Sequence, residues 1–203
     1  ALAAIGALVF VIVRDALRTN PLRKYADAYL WDETFSWGAD VADQPVAVKA
    51  GGTIPRYCCD GVLVFSDGAE LEDQIGPLLA AGASRLIRVG GKLGFVPAVW
   101  RDPVHTITDF TEGQPLEMTR WQPSDGLYTE AVARYTAPDR AYESAETPPY
   151  IVAGAQAADG GLAKRLDVQL DFVLDHRQGQ RVAKIEVMRS RMQRTITGEL
   201  FPD

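Results

Sequence analysis

Residues 166–172 read Leu-Asp-Val-Gln-Leu-Asp-Phe, and apolar side chains alternate there with polar ones. This alternation predicts a β-strand with one buried face and one solvated face. In the following stretch, 177–194, apolar side chains recur at the three- and four-residue spacing of an amphipathic helix. These apolar positions are Val182, Ile185, Met188 and Met192. A strand and a helix so close together favour a mixed α+β fold.

Before residue 120 the patterns predict helices joined by hairpins. Apolar spacing and capping residues predict helices that end near Thr19, span 32–43 and span 69–81, the last closed by Gly82 just after its C-cap. Turn residues predict a hairpin at Gly90-Gly91, a strand pair over 54–65 bent at Asp60-Gly61, a strand over 104–107 and one helical turn capped by Asp109.

After residue 120 strands dominate. A strand is predicted over 127–133, and a closing strand over 194–201 is expected to stop before its partner. We therefore predict an α+β protein of two modules. Residues 1–120 are expected to form a helix-and-hairpin module, and residues 121–203 a β-barrel-like module that carries the one amphipathic helix.

The composition is that of an ordinary globular protein. Hydrophobic residues make up 47% of the 203 positions and charged residues 24%, which does not fit extended disorder. The formal net charge of −6 argues against a general or sequence-specific nucleic-acid-binding surface. The segment from His176 to Arg194 departs from this balance, because it contains six cations and a single acidic residue, Glu186. The cations are Arg177, Arg181, Lys184, Arg189, Arg191 and Arg194. Such a segment suits an acidic partner surface.

The first thirteen residues are apolar apart from Gly6, and Arg14 ends the run. A membrane-spanning helix needs about 20 such residues, so we expect no stable membrane insertion. No basic region precedes the run, as a signal peptide would require. We interpret it as a buried element. The chain begins without Met, and we expect it to be a fragment or a processed product.

Cys58 and Cys59 are the two cysteines of the chain, and they are adjacent. Neighbouring cysteines seldom pair because a disulfide between them strains the intervening peptide. Free thiols fit assembly in a reducing cytoplasm. Cys58 acting as a nucleophile with His105 as its base is one hypothesis. The apolar surroundings of Cys58 favour the alternative, a small side chain of the core.

Two carboxylate pairs offer an acid and a base at close spacing, Asp171 with Asp175 and Asp40 with Asp43. Such spacing is common on solvated faces, and that interpretation is the stronger one. Histidine-pair and cysteine-pair metal motifs, a phosphate-binding loop and a calcium loop are missing from the sequence. We therefore expect no catalytic residue, no cofactor and no metal.

The four tryptophans are Trp31, Trp37, Trp100 and Trp121. Each lies in a predicted helix or strand context, where tryptophan is more often a core residue than a ligand contact. Trp121 lies beside the predicted module boundary, and we assign an interface role to it alone.

Three stretches together resemble a known protein family. Residues 54–62 read Ile-Pro-Arg-Tyr-Cys-Cys-Asp-Gly-Val and are followed by a predicted helix and by Gly90-Gly91-Lys92-Leu93. Residues 133–139 read Ala-Arg-Tyr-Thr-Ala-Pro-Asp. Residues 178–185 read Gln-Gly-Gln-Arg-Val-Ala-Lys-Ile, after Asp159-Gly160-Gly161 and before Arg189-Ser190-Arg191. In order and spacing these stretches resemble the tail-tip (tail tip J-like) proteins of long-tailed phages and related gene transfer agents.

The resemblance implies a structural protein of the virion, assembled in the bacterial cytoplasm as part of the tail-tip or baseplate hub. Hub proteins of this family are longer, so the chain is expected to be an internal segment. The implied partners are two further copies in a trimer, distal tail and tail-tip proteins, and indirectly the host receptor, with roles in host attachment and genome ejection. Gly179 stands where the family has a small helix former, and Cys58 is an additional cysteine.

We predict that a basic face of the amphipathic helix contacts these partners. Its residues are Arg181, Lys184, Arg189 and Arg191, with Trp121 as a further contact. A solvated face is the alternative interpretation of the four cations. Two other classes of function remain open: an envelope-associated enzyme that uses Cys58 or a carboxylate pair, and a monomeric adaptor or carbohydrate-binding module.

Overall fold

The computed structural model describes residues 8–19, 25–49, 51–62, 71–103, 117–121, 123–192 and 194–197. The described helices are α1 (Leu8–Thr19), α2 (Asp32–Asp43), α3 (Leu71–Ala81), α4 (Ala155–Ala158) and α5 (His176–Ser190). The described strands are β1 (Pro45–Ala47), β2 (Thr53–Pro55), β3 (Arg85–Val89), β4 (Lys92–Val96), β5 (Glu117–Thr119), β6 (Glu130–Ala137), β7 (Glu143–Glu146), β8 (Tyr150–Ile151), β9 (Arg165–Leu170) and β10 (Thr195–Thr197). The predicted α+β class is confirmed.

Strand β6 organises the largest sheet. It pairs antiparallel with β7 at its carboxyl end and with β8 at its amino end, while β9 runs parallel to it along the opposite edge. A parallel neighbour requires a crossover, and the chain makes it through β7, β8 and α4. The described strands form this open sheet and three two-stranded sheets, and they close no barrel.

Helix α5 packs against β6, and small side chains let the two approach closely. A Cβ added at Gly179 would lie 3.2 Å from Thr147 Cγ2 and 3.6 Å from Ala133 Cβ. The buried residues of α5 are Gln178, Gly179, Val182, Ala183 and Val187. The predicted apolar face is therefore correct at Val182 but wrong at Met188, which is 45% exposed because it lies off the side of the helix that packs on the core.

The region around 54–65 folds differently from its prediction. The hairpin turns at Gly51-Gly52, where φ is +91° and +82°, and joins β1 to β2. Residues 56–62 form no strand, so the predicted bend between strands at Asp60-Gly61 is wrong. Tyr57 and Cys59 are buried in the core instead, and the backbone of Cys58 bonds to a side chain of α5 rather than to a β-ladder.

Helix α3 ends at Ala81, as predicted, but its cap differs from the prediction. Ala83, not Gly82, has the left-handed conformation, with φ of +47°. Its N–H donates to Ala80 O, and Ser84 N–H donates to Leu79 O, both at 2.9 Å. These two bonds form a Schellman cap. The following hairpin, β3 with β4 across Gly90-Gly91, is confirmed.

The closing strand β10 has a partner, contrary to its prediction. Ile196 lies opposite Met118 in an antiparallel pair with β5, which precedes it in the chain by more than seventy positions. The predicted strand over 104–107, the turn capped by Asp109, residues 1–7 and residues 198–201 lie outside the described residues.

One hydrophobic core joins residues from both predicted modules. It includes Val13 and Leu17 of α1, Phe35 of α2, Ile75 of α3, Phe95 of β4, Leu170 of β9 and Val182 of α5. The boundary near residue 120 stays a prediction. Within the described part of the chain, none of the helices combines the length and apolarity needed to cross a lipid bilayer.

Candidate functional site

Helix α5 and its C-terminal end carry most of the residues singled out from the sequence. The helix begins at Asp175, whose Oδ1 accepts a hydrogen bond of 2.8 Å from the N–H of Arg177. An N-cap of this kind satisfies one of the free amides of the first turn. Asp175 therefore has a structural role, and its proposed partner Asp171 accepts from Gln169 Nε2 at 2.7 Å on the exposed surface.

Arg181 is half-buried and bonds within the chain. Its Nη2 donates to Arg56 O at 2.6 Å, which ties α5 to the end of β2. Burial lowers the pKa of the Arg181 guanidinium. The guanidinium is thus used to hold the segment after β2, and a contact with a partner stays a prediction.

Arg189 and Arg191 also bind neighbouring parts of the chain. Arg189 donates to Ala83 O at 2.7 Å and pairs with Glu186. Arg191 holds Asp159 through two bonds, of 2.7 and 3.1 Å, and donates to Tyr128 O at 3.0 Å. The bond from Arg191 lowers the pKa of the Asp159 carboxyl, since it stabilises the charged form. These two arginines join α5 to the α3 cap and to the region before β9.

Lys184 is the exposed member of the predicted basic face, and its ammonium lies 5.4 Å from the ring centroid of Tyr150. A separation of this size allows a cation–π contact. The four cations therefore do not form one exposed basic face, because three of them bond to backbone or carboxylate groups of the chain.

Trp121 lies on a wider exposed apolar surface at the end of α5. Its side chain is 77% exposed, and that of Trp100 is 86% exposed. We call this region the methionine–tryptophan surface; it consists of Trp100, Met118, Trp121, Met188, Met192 and Ile196. Sequence reasoning found Trp121 alone, since it assigned Trp100 and the helical methionines to the core.

Two grooves run across this surface and meet at Met192. One, of about 790 Å³, is lined by Met118, Arg120, Trp121, Arg191, Met192 and Arg194. The other, of about 400 Å³, lies between the Trp100 region and α5 and includes Met188, Ile185, Lys184 and Arg56 in its lining. The arrangement offers apolar contact area with cations around it, and such an arrangement suits binding of another protein better than chemistry on a small molecule.

Gln178 is a buried residue that sequence reasoning missed. Its Oε1 accepts from Cys58 N–H at 2.9 Å, and its Nε2 donates to Cys58 O and to Ala81 O, each at 2.8 Å. The side chain is 1% exposed. One carboxamide therefore links the segment 57–60 and the end of α3 to α5. The only signal in the sequence was a polar residue at a position that the helical spacing places on the buried face.

The thiols lie in an environment that disfavours the thiolate. Burial raises the pKa of Cys58, and Asp60 raises it further. Burial raises the pKa of Cys59 to about 12. His105, the base considered for Cys58, lies outside the described residues. Asp40 and Asp43 are exposed on α2, as a solvated face would be.

Among the described residues no group of three or more histidine, cysteine, aspartate or glutamate side chains is placed to hold a metal ion.

Comparison with known proteins gives one family. A model of the family described as "Putative phage tail protein" matches residues 70–200, which include every described element from α3 to β10. None of the curated proteins matches the chain. The family match covers well over half of the 203 residues. The chain therefore belongs to this family of phage tail proteins.

Proposed function

We propose that the chain is a structural segment of the tail-tip or baseplate hub of a long-tailed phage or a gene transfer agent. Three copies associate around the tail axis, contact distal tail and tail-tip proteins, and take part in host attachment and genome ejection. The contacts between copies are heterologous and are closed by rotation into a ring.

Two observations support this proposal. Membership of a phage tail family gives the structural role in the virion. The methionine–tryptophan surface supports assembly, because monomeric proteins rarely expose several large apolar side chains side by side. This exposed surface is the observation that carries the assembly part of the proposal.

The proposal contains no catalytic step. Its support is the environment of the candidate nucleophile, where burial raises the pKa of Cys58 and so disfavours the reactive thiolate. The candidate acid Asp175 serves as a helix cap, which leaves its carboxylate engaged with the first turn of α5.

The proposal is tested by the mass of the particle in solution. Light scattering on the purified chain, and on a version extended at both ends, is expected to give about three times the 22.2 kDa of one chain in at least one of the two. Strict monomers in both would contradict the hub assignment and favour the monomeric adaptor. A melting temperature raised by an added oligosaccharide would also contradict the hub assignment and would favour the carbohydrate-binding module.

A further inference from the structure

The methionine–tryptophan surface has an unusual composition. The chain contains three methionines, and all of them, Met118, Met188 and Met192, lie there with exposed side chains. Two of its four tryptophans, Trp100 and Trp121, lie there as well. Tryptophan, methionine and arginine are enriched at protein interfaces. Methionine also adapts its shape to irregular partners. The surface therefore has the composition of a binding site rather than of ordinary solvated surface.

The surface is continuous across three elements. Met192 lines both grooves, one toward Trp121 and one toward Trp100. Ile196 of β10 lies opposite Met118 of β5, so this two-stranded sheet extends the apolar area beyond the end of α5. A single extended or helical segment can therefore contact the whole surface, with its side chains entering both grooves.

The charged side chains that line the two grooves are all basic. The described residues that line the two grooves include six cations and no carboxylate: Arg56, Arg120, Lys184, Arg189, Arg191 and Arg194. Arg189 and Arg191 are paired with Glu186 and Asp159. Within the described part of the chain, Arg120 and Arg194 form no ion pair. A protein of net charge −6 thus has a locally cationic rim around this exposed apolar area, to which Arg56, Arg120, Lys184 and Arg194 contribute.

We propose that this surface binds an amphipathic segment of another tail protein, whose apolar side chains are flanked by aspartate and glutamate. The proposal rests on the proposed function only in calling the partner a tail protein. Carboxylates on the segment complement the cationic rim, and its apolar side chains cover the methionines and tryptophans.

Two other occupants fit less well. A second copy that used the same surface, as in a two-fold dimer, would bring the two cationic rims together, which like charges oppose. A second copy that presented a different surface, as in a ring, is the occupant that the self-association result below tests for. Nucleic acid would satisfy the cations and stack on the tryptophans. It would leave Met118, Met192 and Ile196 without apolar partners.

The test uses a short helix-forming peptide with a leucine- and phenylalanine-rich face flanked by glutamates, and a twin in which every glutamate is glutamine. Calorimetry is expected to show the glutamate peptide binding about tenfold tighter than its twin at low salt, and losing that advantage at high salt. In ¹⁵N-labelled protein the indole N–H signals of Trp100 and Trp121 are expected to shift. The indole of Trp31, which donates to Glu33 Oε2 at 3.1 Å, should not shift.

Variants locate the binding. Trp121→Ala and Met192→Ala are each expected to weaken binding at least tenfold, and the double variant Arg120→Glu with Arg194→Glu to reverse the preference toward the glutamine twin. Ile151→Ala, at a side chain 65% exposed on β8, and Arg140→Glu, on the exposed turn after β6, are the matched controls and should bind normally. If a variant does not fold, the indole shifts of the unmodified protein still decide the test.

Three results would overturn the proposal. The first is equal binding of the two peptides. The second is displacement of the glutamate peptide by a single-stranded oligonucleotide that binds more tightly. The third is a self-associated form of the free chain that Trp121→Ala converts to monomer, which assigns the surface to a second copy. A monomer that binds the glutamate peptide would contradict the trimer alone, and a trimer without such binding would contradict the surface proposal alone.

Discussion

Replacing Gln178 with alanine removes the carboxamide that joins three parts of the chain. The side chain is 1% exposed and forms hydrogen bonds of 2.9, 2.8 and 2.8 Å with Cys58 N–H, Cys58 O and Ala81 O. Three bonds at about 1 kcal/mol each give about 3 kcal/mol, and the cavity adds about 1–2 kcal/mol. We expect Gln178→Ala to lower the free energy of unfolding by about 4–5 kcal/mol.

Urea unfolding followed by circular dichroism measures this loss, with a melting temperature lower by roughly 8–20 °C as a second readout. Gln180→Ala is the matched control on the same helix, since the described residues give the Gln180 side chain no hydrogen-bond partner, and it should cost less than about 1 kcal/mol. A loss below about 1.5 kcal/mol for Gln178→Ala, or equal losses for the two variants, would refute the reasoning.

Gln178→Glu tests the role of the two donated bonds separately. An ionised glutamate can accept from Cys58 N–H but faces Cys58 O and Ala81 O without a proton to donate. Burial raises the pKa of such a carboxyl, so the protonated form is favoured in the folded protein. The variant is therefore expected to lose less stability relative to the wild type at pH 5 than at pH 7. A loss that is independent of pH would contradict this account.

Three further predictions concern packing, an ion pair and the thiols. Gly61→Ala would place a Cβ 2.3 Å from Phe172 Cδ1, and we expect unfolding to become easier by about 1–3 kcal/mol, whereas Gly126→Ala, with no atom within 4 Å, should change little. Arg191→Met should destabilise the protein at neutral pH. The pKa of Asp159 is lowered in the fold, so this stabilisation is present above the ordinary carboxyl pKa of 3.8 and is lost as the pH falls through the lowered value. Denaturant titrations at pH 7 and pH 3 should show a smaller difference in the free energy of unfolding between wild type and variant at pH 3. A difference that is larger at pH 3 would contradict the assignment. A thiol reagent at pH 7 should modify Cys59, whose pKa is raised to about 12, far more slowly in the native protein than in urea; equal rates would contradict its burial.

Sequence periodicity predicted the elements that bury one face in the core and leave the other face solvated. The alternation at 166–172 gave β9, and apolar spacing with a capping signal gave α2 at Asp32–Asp43. It failed at Met188, because the face of α5 that packs on the core carries Gln178, Gly179, Val182, Ala183 and Val187. Asp60-Gly61 and Gly51-Gly52 are both turn-forming pairs, and the hairpin forms at Gly51-Gly52, while Tyr57, which lies between the two pairs, is buried in the core.

The candidate site was predicted less completely than the fold. Trp121 was found because it lies near a change in sequence pattern, and Arg191 because it is basic. The remaining apolar members of the methionine–tryptophan surface were assigned to the core or passed over, since a helical methionine gives the same pattern whether it is buried or exposed. These residues come together because β5 pairs with β10, and both strands are too short for their sequence pattern to reveal the pairing register.

The contact between Gln178 and Cys58 spans 120 positions of the chain. During synthesis from the amino end, the backbone groups of Cys58 have no carboxamide to bond until residue 178 has left the ribosome. A polypeptide terminated before that point keeps the 57–60 segment hydrated and open to proteases. We therefore expect chains that end before residue 178 to be degraded rather than built into particles, because they lack the carboxamide that holds the 57–60 segment.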